Sequence, residues 1–135
     1  MKILFAASEA APFVKSGGLG DVMGALPAEL SKNPDNEVAV ILPYYGKIKY
    51  NPDFDIEYIT SFYMPLAWRS TYVGIFKAVV KSKPAGRAKR SNVTYYFIDN
   101  EEYFNRGKIY GYDDDGERFA FFSKAILETL VHLDI

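Results

Sequence analysis

The chain has 135 residues, enough for one domain with a core, and 49% of them are hydrophobic. A formal net charge of −1 offers nucleic acid no long-range attraction, so no nucleic-acid partner is expected. With no cysteine the chain forms neither a disulfide framework nor a Cys-ligated metal site, and no run of about 18 apolar residues argues for a membrane span or a membrane partner.

The opening stretch MKILFAASEAAPFV is apolar but short, Glu9 interrupts it, and no small-residue cleavage site follows. It reads as a strand over 2–7, buried on both faces as parallel strands are, rather than as a signal peptide, and the expected location is the cytoplasm. KSGGLGDVMG at 15–24 comes next. Glycines at 17, 18 and 20 are expected to let the backbone turn with φ > 0 and to leave no Cβ between main-chain N–H groups and a ligand. A helix opening there aims its unpaired N–H groups and positive dipole end at the turn, where a phosphate is the usual guest. Lys15 adds a movable charge at the rim. The spacing is neither G-x-x-x-x-G-K-[ST] nor G-x-G-x-x-G. Two readings therefore stand: an anion cradle, or a glycine-rich connection that serves tight strand–helix packing.

Leu19, Val22, Met23, Leu26 and Leu30 recur at helical spacing over 18–31, with Pro27 expected to kink or weaken the last turn. EVAVIL at 37–42 is a second buried strand, ended by Pro43, and strand, helix and strand make a right-handed βαβ unit that starts a Rossmann-like sheet. Residues 43–53 read as a loop. Strands over 56–64 and 71–81, linked by 65–70, make an antiparallel hairpin. KSKPAGRAKRS at 81–91 carries five basic residues and is either an anionic-ligand patch or a solvated connection. VTYYFI at 93–98 is a buried strand, and Asp99, Asn100, Glu101 and Glu102 suit a capped single turn of helix. Over 116–133, Phe119, Phe122, Ser123, Ile126, Leu127, Leu130 and Leu133 share one face of an amphipathic helix. His132 falls opposite and reads as solvent-facing rather than as an acid–base group. By element order another strand follows, so the chain looks like part of a domain.

Among these elements there is no Ser-His-Asp set and no metal cluster. Asp113-Asp114-Asp115 reads as a polar loop capping the last helix rather than as a cation site. Aromatic residues make up 16% of the chain and either stack on sugar rings or fill the core.

The residues of SEAAPFVKSGGLGDVMGALPAEL closely resemble the signature K-[TS]-G-G-L-[GA]-D-V of bacterial glycogen synthases and plant starch synthases. The resemblance continues through ILPYYG at 41–46 and YFNRGKIYGYDDDGERFAFFSKA at 103–125, and so covers essentially the whole chain. It implies an α/β, Rossmann-like sheet, largely parallel with an antiparallel hairpin, as residues 1–135 of an incomplete N-terminal domain. The parent would be a two-domain (GT-B) retaining hexosyltransferase that moves glucose from ADP-glucose, or UDP-glucose, to the non-reducing end of an α-1,4-glucan. No cofactor and no metal is implied. Carried over motif by motif, Lys15 and Asp21 are the catalytic pair, with Asp21 shaping the sugar site. Lys15 and the Gly17 and Gly18 amides hold the donor's distal phosphate. Tyr110 and Glu9 belong to the acceptor and sugar cleft.

Ser16 stands where the family often has Thr, and Asp115 where Asn is common. The family's histidine segment and its C-terminal nucleotide-binding domain lie beyond Ile135, so this piece is expected to be inactive alone and to self-associate through an open sheet edge. Alternatives are a sucrose synthase-like or phosphorylase-like enzyme, and a stand-alone nucleotide- or glucan-binding module without catalysis.

Overall fold

The structure, a computed structural model, describes residues 1–81 and 91–135, so most of the basic stretch at 81–91 lies outside the described residues. In chain order the elements are β1 (Lys2–Ala6), α1 (Gly18–Leu30), β2 (Glu37–Pro43), α2 (Gly46–Lys49), β3 (Glu57–Leu66), β4 (Arg69–Lys81), β5 (Asn92–Asp99), α3 (Glu101–Phe104) and α4 (Asp115–Leu133). The strands form one sheet in the order β1-β2-β5-β4-β3, an α/β fold of the expected class. The chain divides into two units, Met1–Leu42 with Lys77–Tyr96, and Pro43–Phe76 with Phe97–Ile135.

In the first unit β1 and β2 are parallel, in register from Lys2 opposite Glu37 to Ala6 opposite Ile41, with α1 as the crossover of a βαβ unit. Val38, Val40, Ile41 and Leu42 are buried, as a near-continuous apolar strand requires. β1 departs from the expectation of a strand covered on both faces: Ile3, Leu4 and Phe5 are only half-buried, because β1 lies at an edge of the sheet. α1 shows a second departure. Its buried residues are Gly20, Met23 and Pro27, while Leu19, Val22 and Leu26 are 45%, 50% and 42% exposed. The reason is close packing: a Cβ on Gly24 would stand 2.9 Å from the Ala11 Cβ, so α1 approaches the preceding loop along its smallest residues. The helix runs through Pro27 to Leu30, and Ser31 ties its end down, accepting from the Asn92 amide (3.0 Å) and donating to the Ala28 carbonyl (2.8 Å).

The second unit holds the hairpin of β3 and β4. Its link is shorter than the expected 65–70: only Ala67 and Trp68 intervene, and Ala67 takes the strained left-handed conformation, φ 55°. Residues 43–53 are not all loop, since α2 forms there and buries Ile48 beside the fully buried Tyr45. Gly46 opens α2 because a Cβ would meet the Asn105 carbonyl oxygen of its side chain at 2.9 Å. α3 is the expected capped turn, with the Asn100 side chain accepting from the Tyr103 amide at 3.2 Å. α4 forms as expected but turned: its buried residues are Arg118, Phe121, Phe122, Ala125 and Thr129, while Leu127 is exposed. Two polar residues belong to that face: Thr129 Oγ1 donates to the Ala125 carbonyl (2.7 Å), and Arg118 is paired through Nε and Nη1. His132 is exposed, yet its ring lies flat on Phe62, centroids 3.9 Å apart. For Tyr45, Phe97, Tyr103, Phe104 and Phe121, all fully buried, the core reading of the aromatics holds.

Candidate functional site

Between β1 and α1 the chain first closes on itself. Ala10 and Val14 exchange both backbone hydrogen bonds at 3.0 Å, and the Ala11 amide donates to the Gly20 carbonyl at 3.1 Å. Phe13 anchors the turn against Tyr95, edge to face at 4.8 Å. This short, tied loop delivers residues 15–17 to the start of α1.

Glu9 is buried, and its carboxylate faces that stretch. Oε2 accepts from the Ser16 amide (2.6 Å) and the Gly17 amide (3.2 Å), and Oε1 accepts from Ser16 Oγ (2.9 Å). Lys15 and Asp21 form an exposed ion pair at 2.8 Å across the loop mouth. The hydrogen bond to Asp21, followed by its charge, holds the Lys15 ammonium above the usual lysine pKa, so it stays a cation at neutral pH. Asp21 stands in the first turn of α1, where a carboxylate also favours the positive helix end. Gly17 is the N-cap and supplies no side-chain cap, so the amides of Gly18, Leu19 and Gly20 begin the helix without an intrahelical acceptor.

The glycines do not act through left-handed backbone. Among the described residues the only glycine with positive φ is Gly111, and Gly17 has φ −168°, which any residue adopts. The expectation of φ > 0 at 17, 18 and 20 is thus corrected. Instead the glycines divide by space. A Cβ on Gly17 or Gly18 meets nothing within 4 Å, whereas one on Gly20 stands 2.9 Å from both Glu9 Oε2 and Lys15 Cβ. Gly17 and Gly18 face open space, while Gly20 and Gly24 permit close packing.

The structure brings Glu9, Lys15, Gly17, Gly18 and Asp21 together in the first unit; Tyr110 belongs to the second. There Tyr110 is half-buried with its ring 5.9 Å from Phe119. Its loop is strapped down by a residue the sequence reading missed. Arg118 is fully buried and donates to the Tyr103 carbonyl (2.7 Å), the Ile109 carbonyl (3.1 Å) and Asp115 Oδ1 (2.8 Å). Its guanidinium lies 4.9 Å from the centre of the Tyr112 ring, and its Nη2 has no partner. The acids at the start of α4 give it no side-chain cap, against expectation. Asp114 grips Arg106 with two bonds of 2.6 and 2.7 Å, and Asp115 accepts from the Gly111 and Tyr112 amides. The one sequence signal for this strap is the acid–base spacing of Asp115 and Arg118.

A cleft of about 610 Å³ in the second unit is lined by Tyr63, Arg69, Tyr72, Asp99, Asn100 and Tyr103 among others. Three of its charged groups are paired: Arg69 binds Glu117 and the Tyr103 hydroxyl, and Lys49 binds Glu101 (2.9 Å) and Asp99 (3.4 Å). Burial raises the Asp99 pKa despite that lysine. Among the described residues no three His, Cys, Asp or Glu are grouped to hold a metal, and no helix is long and apolar enough to cross a membrane.

A parallel βαβ start, with a glycine-rich loop leading into a helix that has no side-chain N-cap, places the chain in the class of α/β proteins with a Rossmann-like sheet. Residues 2–135 match the family described as the starch synthase catalytic domain, and the chain belongs to that family. It is 49% identical over 130 residues to the glycogen synthase of Ligilactobacillus salivarius, an alignment covering 96% of this chain and 25% of that one. It is 52% identical over 130 residues to the glycogen synthase of Streptococcus uberis, with coverage of 96% and 25%. For the glycogen synthase of Streptococcus equi subsp. equi the figures are 50% over 135 residues, 100% and 26%. The chain thus spans about a quarter of the length of these curated relatives.

Proposed function

We propose that the chain is the N-terminal part of a cytoplasmic glycogen synthase, residues 1–135 of an incomplete Rossmann-like domain whose parent carries a second, nucleotide-binding domain. The parent transfers glucose from ADP-glucose, or UDP-glucose, to the non-reducing end of an α-1,4-glucan with retention of configuration. The observation that carries this reading is the Lys15–Asp21 pair set across the uncapped start of α1, beside the open space at Gly17 and Gly18.

As the glycosidic bond of the donor breaks, negative charge grows on the oxygens of the leaving diphosphate. Lys15 and the first-turn amides of α1 are positive groups already in place for that charge, so they stabilise the transition state more than the ground state. Asp21 holds the amine at the loop mouth until a phosphate competes for it, and lies close to where the glucose would be. Tyr110 serves the acceptor side. Glu9, assigned by resemblance to the sugar cleft, has its carboxylate directed at loop amides. In isolation the chain self-associates and lacks activity.

The test is glucose incorporation by the intact protein. With ADP-glucose or UDP-glucose and a maltooligosaccharide, α-1,4 extension with stoichiometric release of the nucleoside diphosphate is expected. No donor-dependent extension, or a product of inverted anomeric configuration, overturns the reading. The stand-alone binding module is decided by whether the natural reading frame continues past Ile135.

A further inference from the structure

We infer that Glu9 is a positioning residue for the donor loop: its buried carboxylate acts as an internal anion that fills the Ser16–Gly17 amides and leaves the next amides, at Gly18, Leu19 and Gly20, to a donor phosphate. The inference rests on the donor reading above and changes which groups serve it.

Two successive backbone N–H groups turned towards one oxygen make a concavity that suits an anion. Here that concavity is occupied from within. Glu9 Oε2 takes both amides, at 2.6 and 3.2 Å, while Oε1 takes the Ser16 hydroxyl at 2.9 Å. Glu9 is 4% exposed, so the carboxylate has left water for these bonds, and hydrogen bonds from fixed donors are what make such burial tolerable. Gly20 is shaped to it: any Cβ there would stand 2.9 Å from Oε2. A glutamate at the protein's own amides also bears on Gly17. Its N–H is engaged, so the phosphate contacts begin one residue later, at N1 of the helix.

The consequence is preorganisation. Residues 15–17 carry no intrinsic preference for one conformation ahead of a helix with no side-chain cap, and a loop that must order when the donor arrives weakens binding. With the carboxylate in place, that ordering is complete before the donor comes. The loop serves the bound donor and the transition state alike, so losing the clamp falls on donor KM more than on kcat.

The experiment compares the intact protein with Glu9→Gln, Glu9→Asp and Ser16→Ala, reading KM for ADP-glucose, KM for the glucan, kcat and the thermal midpoint. Glu9→Gln keeps the size and one acceptor oxygen for the two amides but removes the negative charge, so the bonds are no longer charge-assisted; a donor KM roughly tenfold higher is expected, with glucan KM and kcat within about twofold. Glu9→Asp restores part of the loss, and Ser16→Ala, which removes only the hydroxyl bond, gives a rise of about threefold. An unchanged donor KM in Glu9→Gln overturns the inference, as does a shift confined to glucan KM, which would return Glu9 to the acceptor side. If Glu9→Gln does not fold, Ser16→Ala decides in the same way. If the wild type transfers no glucose, the donor reading fails by itself, and calorimetric titration of the four proteins with ADP-glucose still reports on the clamp.

Discussion

Lys15 is the one residue of the loop whose charge is free to follow a ligand. A lysine ammonium on a flexible stem pairs with Asp21 at 2.8 Å while both remain exposed, so the pair contributes little to stability and leaves easily. Under the proposed function, the same amine meets the charge that grows as the donor's diphosphate departs. Lys15→Ala is therefore expected to lower kcat by about tenfold or more, the equivalent of about 1.4 kcal/mol in the barrier, with donor KM changed less than in Glu9→Gln. Steady-state kinetics of the two variants check the contrast, and a wild-type kcat in Lys15→Ala defeats it. At this scale much was legible: GGLGD after an apolar strand reads as a loop and helix start because spacing alone carries that information. What Glu9 does was not legible, since nothing in SEAAPFVKS says that its carboxylate reaches seven residues ahead to the Ser16 amide.

At the level of elements the legible part is again the local part. β2, α3 and the βαβ order follow from apolar runs and a cap, while the buried faces of α1 and α4 do not follow from counting apolar residues. α1 packs along Gly20 and Gly24, and α4 buries Arg118 because three acceptors wait for it. That strap gives a pH dependence. Asp114 is held below the usual carboxylate pKa chiefly by Arg106, and Asp115 chiefly by the Gly111 amide and then Arg118. A depressed folded pKa means stability fully present above the ordinary carboxylate value, about 3.9, and lost as pH falls through the folded value. Thermal melts of the intact protein between pH 7 and pH 2.5 should hold steady and then fall below about pH 4. Asp115→Asn should shallow that acid limb and lower the midpoint at pH 7, because an amide offers one acceptor oxygen where Gly111, Tyr112 and Arg118 all donate. Arg118→Ala should lower the thermal midpoint, because the Tyr103 and Ile109 carbonyls lose their buried donor. An acid limb identical in Asp115→Asn would show that the strap carries no linkage.

For the whole molecule, the relevant surface is apolar and uncovered. Leu19, Val22 and Leu26 lie at helical spacing on α1, Leu127 and Val131 stand out from α4, and β1 offers an edge of the sheet. Each feature is a place where another chain gains by docking, through apolar burial on the helices and through unpaired N–H and C=O groups at the strand. The chain spans about a quarter of the length of the curated relatives it matches. Residues 1–135 made by themselves are therefore expected to associate, and to extend no glucan, since the groups that hold the base and ribose are assigned to the other domain. Light scattering across a range of concentrations should show mass rising with concentration. A Val22→Lys, Leu26→Lys double variant should reduce that rise if α1 is the contact, because a buried ammonium at either position is costly while an exposed one is not. A strictly monomeric chain refutes the association, an unaltered rise in the double variant moves the contact to β1 or α4, and measurable glucose incorporation by the 135-residue chain refutes its dependence on the second domain.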